Sequence, residues 1–251
     1  MKGTFMRWFV FLSLVLLLAP SAFAQRFTLL VEHEHTLRNC SGTLVITPEK
    51  IVYQTDEKRD AREWEYRDIR QLTIVSPVAL ELATYEDQKR MIGRDRLFKF
   101  KLTTGRITPD ITALLAAQVT HPLVTSVPPR NDGTPQFVVP VKHLHALGGC
   151  AGTLRIYEDR IEFESQTDAR FWRYRDLQNV SHSERFRFEI VSYEDQLGGW
   201  KAYHFQLKAD LPAPAYDYVW ARVYPTKFQH REKRAQSFTE RKEFASLPKA
   251  P

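Results

Sequence analysis

The side chains best suited to chemistry in this chain come in two matching sets. His33, His35 and Cys40 form one and His143, His145 and Cys150 the other, at identical spacing, with Gly-Thr-Leu two residues after each cysteine. Imidazole and thiolate are ligands for borderline-soft cations, so each trio suits Zn or Cu better than Ca or Mg. Two other readings fit the same residues. Cys40 and Cys150 could form a disulfide, given an oxidising compartment and Cα atoms within about 7 Å. Alternatively each trio simply packs, with histidines bonded to backbone or carboxylate and a small apolar thiol beside them.

Catalysis finds little support. Tyr85-Glu86-Asp87-Gln88 returns as Tyr193-Glu194-Asp195-Gln196, but adjacent carboxylates on a strand point to opposite faces and do not converge for acid–base work. The chain lacks a Gly-x-Ser-x-Gly elbow, a Gly-rich phosphate loop and a His-Glu-x-x-His helix.

The histidines and cysteines belong to hairpins. With the loop at 36–39, antiparallel pairing sets His35 opposite Cys40, His33 opposite Gly42, Val31 opposite Leu44 and Leu29 opposite Ile46. In the other copy it sets His145 opposite Cys150, His143 opposite Gly152, Val141 opposite Leu154 and Val139 opposite Ile156. Side chains alternate along a strand, so all of these lie on one apolar face, which is the core face. Gly42 and Gly152 are expected to leave space beside the inner histidines.

The rest of each copy is β-rich. Short alternating runs occupy 27–35, 42–47, 51–54, 62–66, 71–75, 80–84 and 97–102, broken by Pro48 and Pro77. Pro109 then opens a helix over 110–119, and Pro212 and Pro214 precede one over 215–223. Arg62-Glu63-Trp64-Glu65-Tyr66-Arg67-Asp68 recurs as Arg170-Phe171-Trp172-Arg173-Tyr174-Arg175-Asp176, and the Trp/Tyr pairs read as core. A repeat of roughly 110 residues exceeds solenoid periods and is long enough for a core of its own. The fold class is therefore mainly β. This order of elements, with Trp220 in the last helix, resembles tandem pleckstrin-homology-like (PH/GRAM-like) domains of a secreted bacterial protein. The resemblance implies two tandem barrels, each of about seven antiparallel strands plus a C-terminal helix. It does not imply that family's phosphoinositide site, because the first hairpin loops carry one arginine, Arg38, or none.

Charge and processing signals complete the outline. Lys2 and Arg7, an apolar run over 8–18 and Ala22-Phe23-Ala24 compose a signal peptide over 1–24. The apolar run is shorter than the ~20 residues a spanning helix needs. Units over 25–120 and 136–224 flank a Pro-rich linker over 121–135, and a basic tail expected to be disordered covers 225–251. The formal charge is +6, yet the body over 25–224 holds equal numbers of acids and bases. That balance argues against a nucleic-acid partner, while the tail, with Arg231, Lys233, Arg234, Arg241 and Lys242, suits weak contact with an anionic membrane surface. The chain thus reads as a periplasmic or extracellular, non-catalytic binding or scaffolding protein with a protein or peptide partner and no cofactor. The alternative is a Zn- or Cu-binding protein, or metal-dependent enzyme, using the two trios.

Overall fold

The computed structural model describes residues 25–35, 38–88, 91–130, 133–196 and 199–225; the expected signal peptide and nearly all of the basic tail lie outside them. Among the described residues the chain is mainly β, with two sheets and two α-helices. The first sheet is built from β1 (Phe27–His33), β2 (Cys40–Ile46), β3 (Lys50–Gln54), β4 (Arg62–Glu65), β5 (Ile69–Ser76), β6 (Ala79–Gln88), β7 (Met91–Leu102) and β8 (Leu123–Thr125), with α1 (Pro109–Gln118) before the last strand. The second contains β9 (Phe137–Leu144), β10 (Gly149–Ile156), β11 (Arg160–Ser165), β12 (Ala169–Arg173), β13 (Leu177–Ser181), β14 (Arg187–Gln196) and β15 (Gly199–Leu207), followed by α2 (Ala213–Val223).

Strand order is β4-β3-β2-β1-β7-β6-β5-β8 in the first sheet and β12-β11-β10-β9-β15-β14-β13 in the second. The second order thus repeats that of the first seven strands. Among the described residues it has no counterpart of β8, which runs parallel to β5 through Leu72↔Leu123 to Ile74↔Thr125. The first sheet therefore has eight strands of mixed direction rather than seven antiparallel ones, and part of the stretch expected to be only a linker is strand. Its Leu123 and Thr125 are almost fully buried. Helix α1 starts where Thr108 accepts a hydrogen bond from the Ile111 N–H and Pro109 needs no donor partner. Ile111, Leu114 and Leu115 turn into the core.

The hairpin register differs from the sequence expectation by two residues. His33 pairs with Cys40, Val31 with Gly42, Leu29 with Leu44 and Phe27 with Ile46. In the second sheet His143 pairs with Cys150, Val141 with Gly152, Val139 with Leu154 and Phe137 with Ile156. The turn there closes one residue earlier, His145 N–H donating to the Gly148 carbonyl at 3.1 Å with Gly148 at φ +86°. A slip of two preserves the side-chain parity, so the His33–Cys40 and His143–Cys150 pairs keep the face assigned to them, while His35 and His145 fall beyond the strands and His145 is exposed. The glycines, however, make room for rings rather than for histidines. A Cβ on Gly42 would sit 2.6 Å from Tyr53 Cε2, and one on Gly152 2.7 Å from Phe163 Cε2.

The two sheets are joined by the side chains of β12. Phe171 packs into the first core, and Arg173 reaches the end of α1. Its Nε and Nη2 hold the Asp176 carboxylate at 2.6 and 2.8 Å, while Nη1 donates to the Ala116 and Val119 carbonyls and Nη2 to that of His121. Both partners of this ion pair are nearly buried. Arg173→Met is therefore expected to lower unfolding stability by about 3–5 kcal/mol in a urea titration, since Asp176 stays buried without its cation. Adding Asp176→Leu should recover part of the loss. An unchanged midpoint in the single variant would rule out this role.

Candidate metal centres

Each trio gathers at the hairpin end of its sheet. In the first, His33 ends β1 and Cys40 begins β2 directly across from it. His35 lies beyond the strand, and its ring folds to 4.2 Å from that of His33, centroid to centroid. Cys40 Sγ stands 3.1 Å from His35 Nε2 and 3.8 Å from His33 Nδ1. Tetrahedral zinc with N ligands at ~2.1 Å and S at ~2.3 Å has ligand–ligand edges of about 3.5 Å, so these spacings fit around one ion. His33 is 3% exposed and is enclosed by Tyr53, Phe98 and Phe100, with ring centroids 5.5, 5.7 and 5.1 Å away. Burial, reinforced by a nearby charge on His35, holds its imidazole down to about 4 and hence neutral, the ligand form.

The second centre repeats this layout. The rings of His143 and His145 are 4.4 Å apart, and His145 Nε2 lies 3.3 Å from Cys150 Sγ. Phe163, Tyr203 and Phe205 surround His143 as Tyr53, Phe98 and Phe100 surround His33. A fourth group is added here: Asp168 Oδ2 sits 3.2 Å from His143 Nδ1, and Arg170 holds Oδ1 at 2.8 Å. Burial alone would raise the Asp168 carboxyl, but the His143 hydrogen bond and the Arg170 charge bring it below the usual carboxylate range. A pocket of about 490 Å³ opens beside this centre, lined by His143, His145, Arg170, Lys201, Tyr203 and His204.

Ligand atoms of His143, His145, Cys150 and Asp168 all lie within 4.8 Å of one another, as do those of His33, His35 and Cys40. Both groups could hold a metal ion. Asp168 was not among the residues singled out from sequence, nor was Asp60, whose Oδ2 is 3.5 Å from His35 Nε2. The signal was present: Asp60-Ala61-Arg62 recurs as Asp168-Ala169-Arg170, extending the Trp-containing motif by two residues. Tyr53 was also missed, although its hydroxyl stands 3.2 Å from Cys40 Sγ and donates to the Cys40 carbonyl.

Cys40 and Cys150 are free thiols, each engaged by a histidine of its own hairpin. The glutamates of the two Tyr-Glu-Asp-Gln stretches contact aromatic residues. Glu86 accepts from Trp64 Nε1, and Glu194 accepts from the Tyr203 hydroxyl.

No protein-family model matches the sequence, and no curated protein matches it. Among solved structures, the chain is similar to one titled "Structure of the Spt16D Pob3N heterodimer", at 11% identity and a TM-score of 0.28 over 67% of this chain and 84% of that one. A superposition that loose supports no functional inference.

The buried, neutral His33 makes the metal-free protein sensitive to acid. Its folded value lies below its ordinary value of 6.5, so the unfolded chain binds the extra proton between about pH 6.5 and 4. Stability is complete above that window and falls through it, by about 3 kcal/mol from this residue. Denaturant titrations at pH 7.5 and 4.5 should show the loss, and His33→Gln should remove most of it. A His33→Gln protein with an unchanged pH slope would contradict the assignment.

Proposed function

We propose that the chain is a non-catalytic, secreted binding protein of two tandem pleckstrin-homology-like units whose ligand is a transition metal ion, held once in each unit. The observation that carries this reading is the recurrence of one ligand set: two imidazoles and a thiol with donor atoms inside 4.8 Å, at the same hairpin end of both sheets. Support for the pleckstrin-homology-like form is the shared order of seven strands with a helix after the seventh in each half. Metal binding requires neutral imidazoles and a deprotonated thiol. A His33 kept neutral by burial removes proton competition at one of these ligands.

The support for a binding role over a catalytic one is the placement of the sulfurs. Each is flanked by histidine on the core face of a hairpin, with the aromatic core behind it.

Titration of the reduced, metal-free chain with Zn(II) is expected to show two equivalents taken up, measured by elemental analysis after desalting. Combining His35→Ala with Cys40→Ser should leave one equivalent, as should combining His145→Ala with Cys150→Ser. A wild-type chain that retains neither Zn nor Cu would overturn the proposal.

A further inference from the structure

The two centres share a trio but differ around it, and the differences all point one way. In the second, Asp168 belongs to the cluster of mutually close ligand atoms. Its Oδ1 is tied to Arg170 at 2.8 Å, which leaves Oδ2 directed at the cluster. This completes two nitrogens, one sulfur and one carboxylate oxygen. In the first, the corresponding Asp60 approaches only His35 Nε2, at 3.5 Å, and stands outside the cluster. What approaches the sulfur there is the Tyr53 hydroxyl, at 3.2 Å, where the second copy has Phe163. The first trio therefore has three strong ligands, a hydroxyl beside its sulfur, and an aromatic wall.

We infer, resting on the reading of both clusters as metal sites, that the two centres sort different metals: the first is built for copper and the second for zinc. Raw affinity does not separate these ions in favour of zinc, since divalent copper binds most nitrogen and sulfur sites more tightly. Geometry and ligand type must do so. Two histidines and one cysteine with only a weak further ligand form the trigonal set that suits copper, and hydrogen bonding around the cysteine sulfur tunes such a site. The Tyr53 hydroxyl, 3.2 Å from that sulfur and 3.1 Å from the Cys40 carbonyl, can turn its single proton from the carbonyl to the sulfur once the sulfur is a thiolate. Four strong ligands including a carboxylate form the closed tetrahedral set of zinc. The Arg170 contact fixes the carboxylate orientation as partners of metal ligands commonly do.

Supplying the reduced, metal-free full chain with one equivalent each of Cu(II) and Zn(II) tests this. The expected product carries an intense visible thiolate-to-copper absorption together with one bound zinc. Cys40→Ser should abolish the absorption and keep the zinc, whereas Cys150→Ser should keep the absorption and lose the zinc. Tyr53→Phe reproduces the Phe163 environment of the other copy, so it is compatible with the fold; it should retain copper while shifting the absorption. Asp168→Asn should weaken zinc retention by about tenfold or more and leave the absorption in place. An absorption that survives Cys40→Ser, or that falls equally in both cysteine variants, overturns the sorting while leaving metal binding intact. A chain that retains neither metal overturns both the sorting and the function proposed above.

Discussion

The guanidinium of Arg173 is the constraint on which the arrangement of the two halves depends. Arginine has five N–H donors in a rigid plane. Here they meet five acceptors: both Asp176 oxygens and the carbonyls of Ala116, Val119 and His121. Those carbonyls lie at the C-terminal end of α1 and just after it, where a helix leaves acceptors without partners and carries partial negative charge. Arg175 adds bonds to two of the same carbonyls. The end of a helix in the first half is thus completed by side chains of the second. Arg70 and Gln71 return the connection by binding Asp195.

This junction is not a strong source of net stability, and its chemistry shows why. Burial pushes the Asp176 carboxyl up despite the adjacent Arg173 and Arg175 charges. Desolvation is therefore not fully offset by the pairing. What the pair supplies is placement. It fixes where the chain leaves α1, and the next residues, Pro122 to Thr125, reach β5 as a short parallel strand. A lysine could satisfy part of this set but not the planar, bidentate contact with Asp176.

The sequence made the faces legible but not the closures. Alternation of apolar residues along β1, β2, β9 and β10 places both trios on the core face; the structure buries the inner histidines, His33 and His143, while the cysteines are half-buried and the outer His35 and His145 lie beyond the strands, His145 exposed. The register depended on where a turn closes, which alternation does not determine, because a shift of two residues leaves every side chain on the same face. Strand β8 is three residues long and sits in a Pro-rich stretch, so it offers no period to detect. Arg173 is harder still. In the repeated motif it occupies the place of Glu65, which points outward and pairs with Arg67. Read alone, Arg173 also points away from its own sheet; only the first half of the molecule, with the end of α1, shows that this direction leads into a protein interior.

Divergence between the copies follows the same rule of a fixed frame with exchanged contents. Trp64 lies 4.8 Å from Phe98, and Trp172 lies 4.8 Å from Tyr203, at matching edge-on angles. Tyr53 and Phe163 likewise occupy matching places against His33 and His143. Each half therefore has one tyrosine and one phenylalanine in this pair of positions, but in opposite order. In the first, the hydroxyl is at the sulfur; in the second, it bonds Glu194. Exchange of a phenyl for a phenol changes ring volume little, so packing tolerates both arrangements. Glu194, released from the tryptophan contact that Glu86 makes, accepts the relocated hydroxyl. One pair of near-isosteric exchanges thus moves a hydrogen-bonding group from one ring beside the buried histidine to another while the sheet order is kept. One strand order can in this way keep the same His/Cys trio in both halves and still surround it with two different environments.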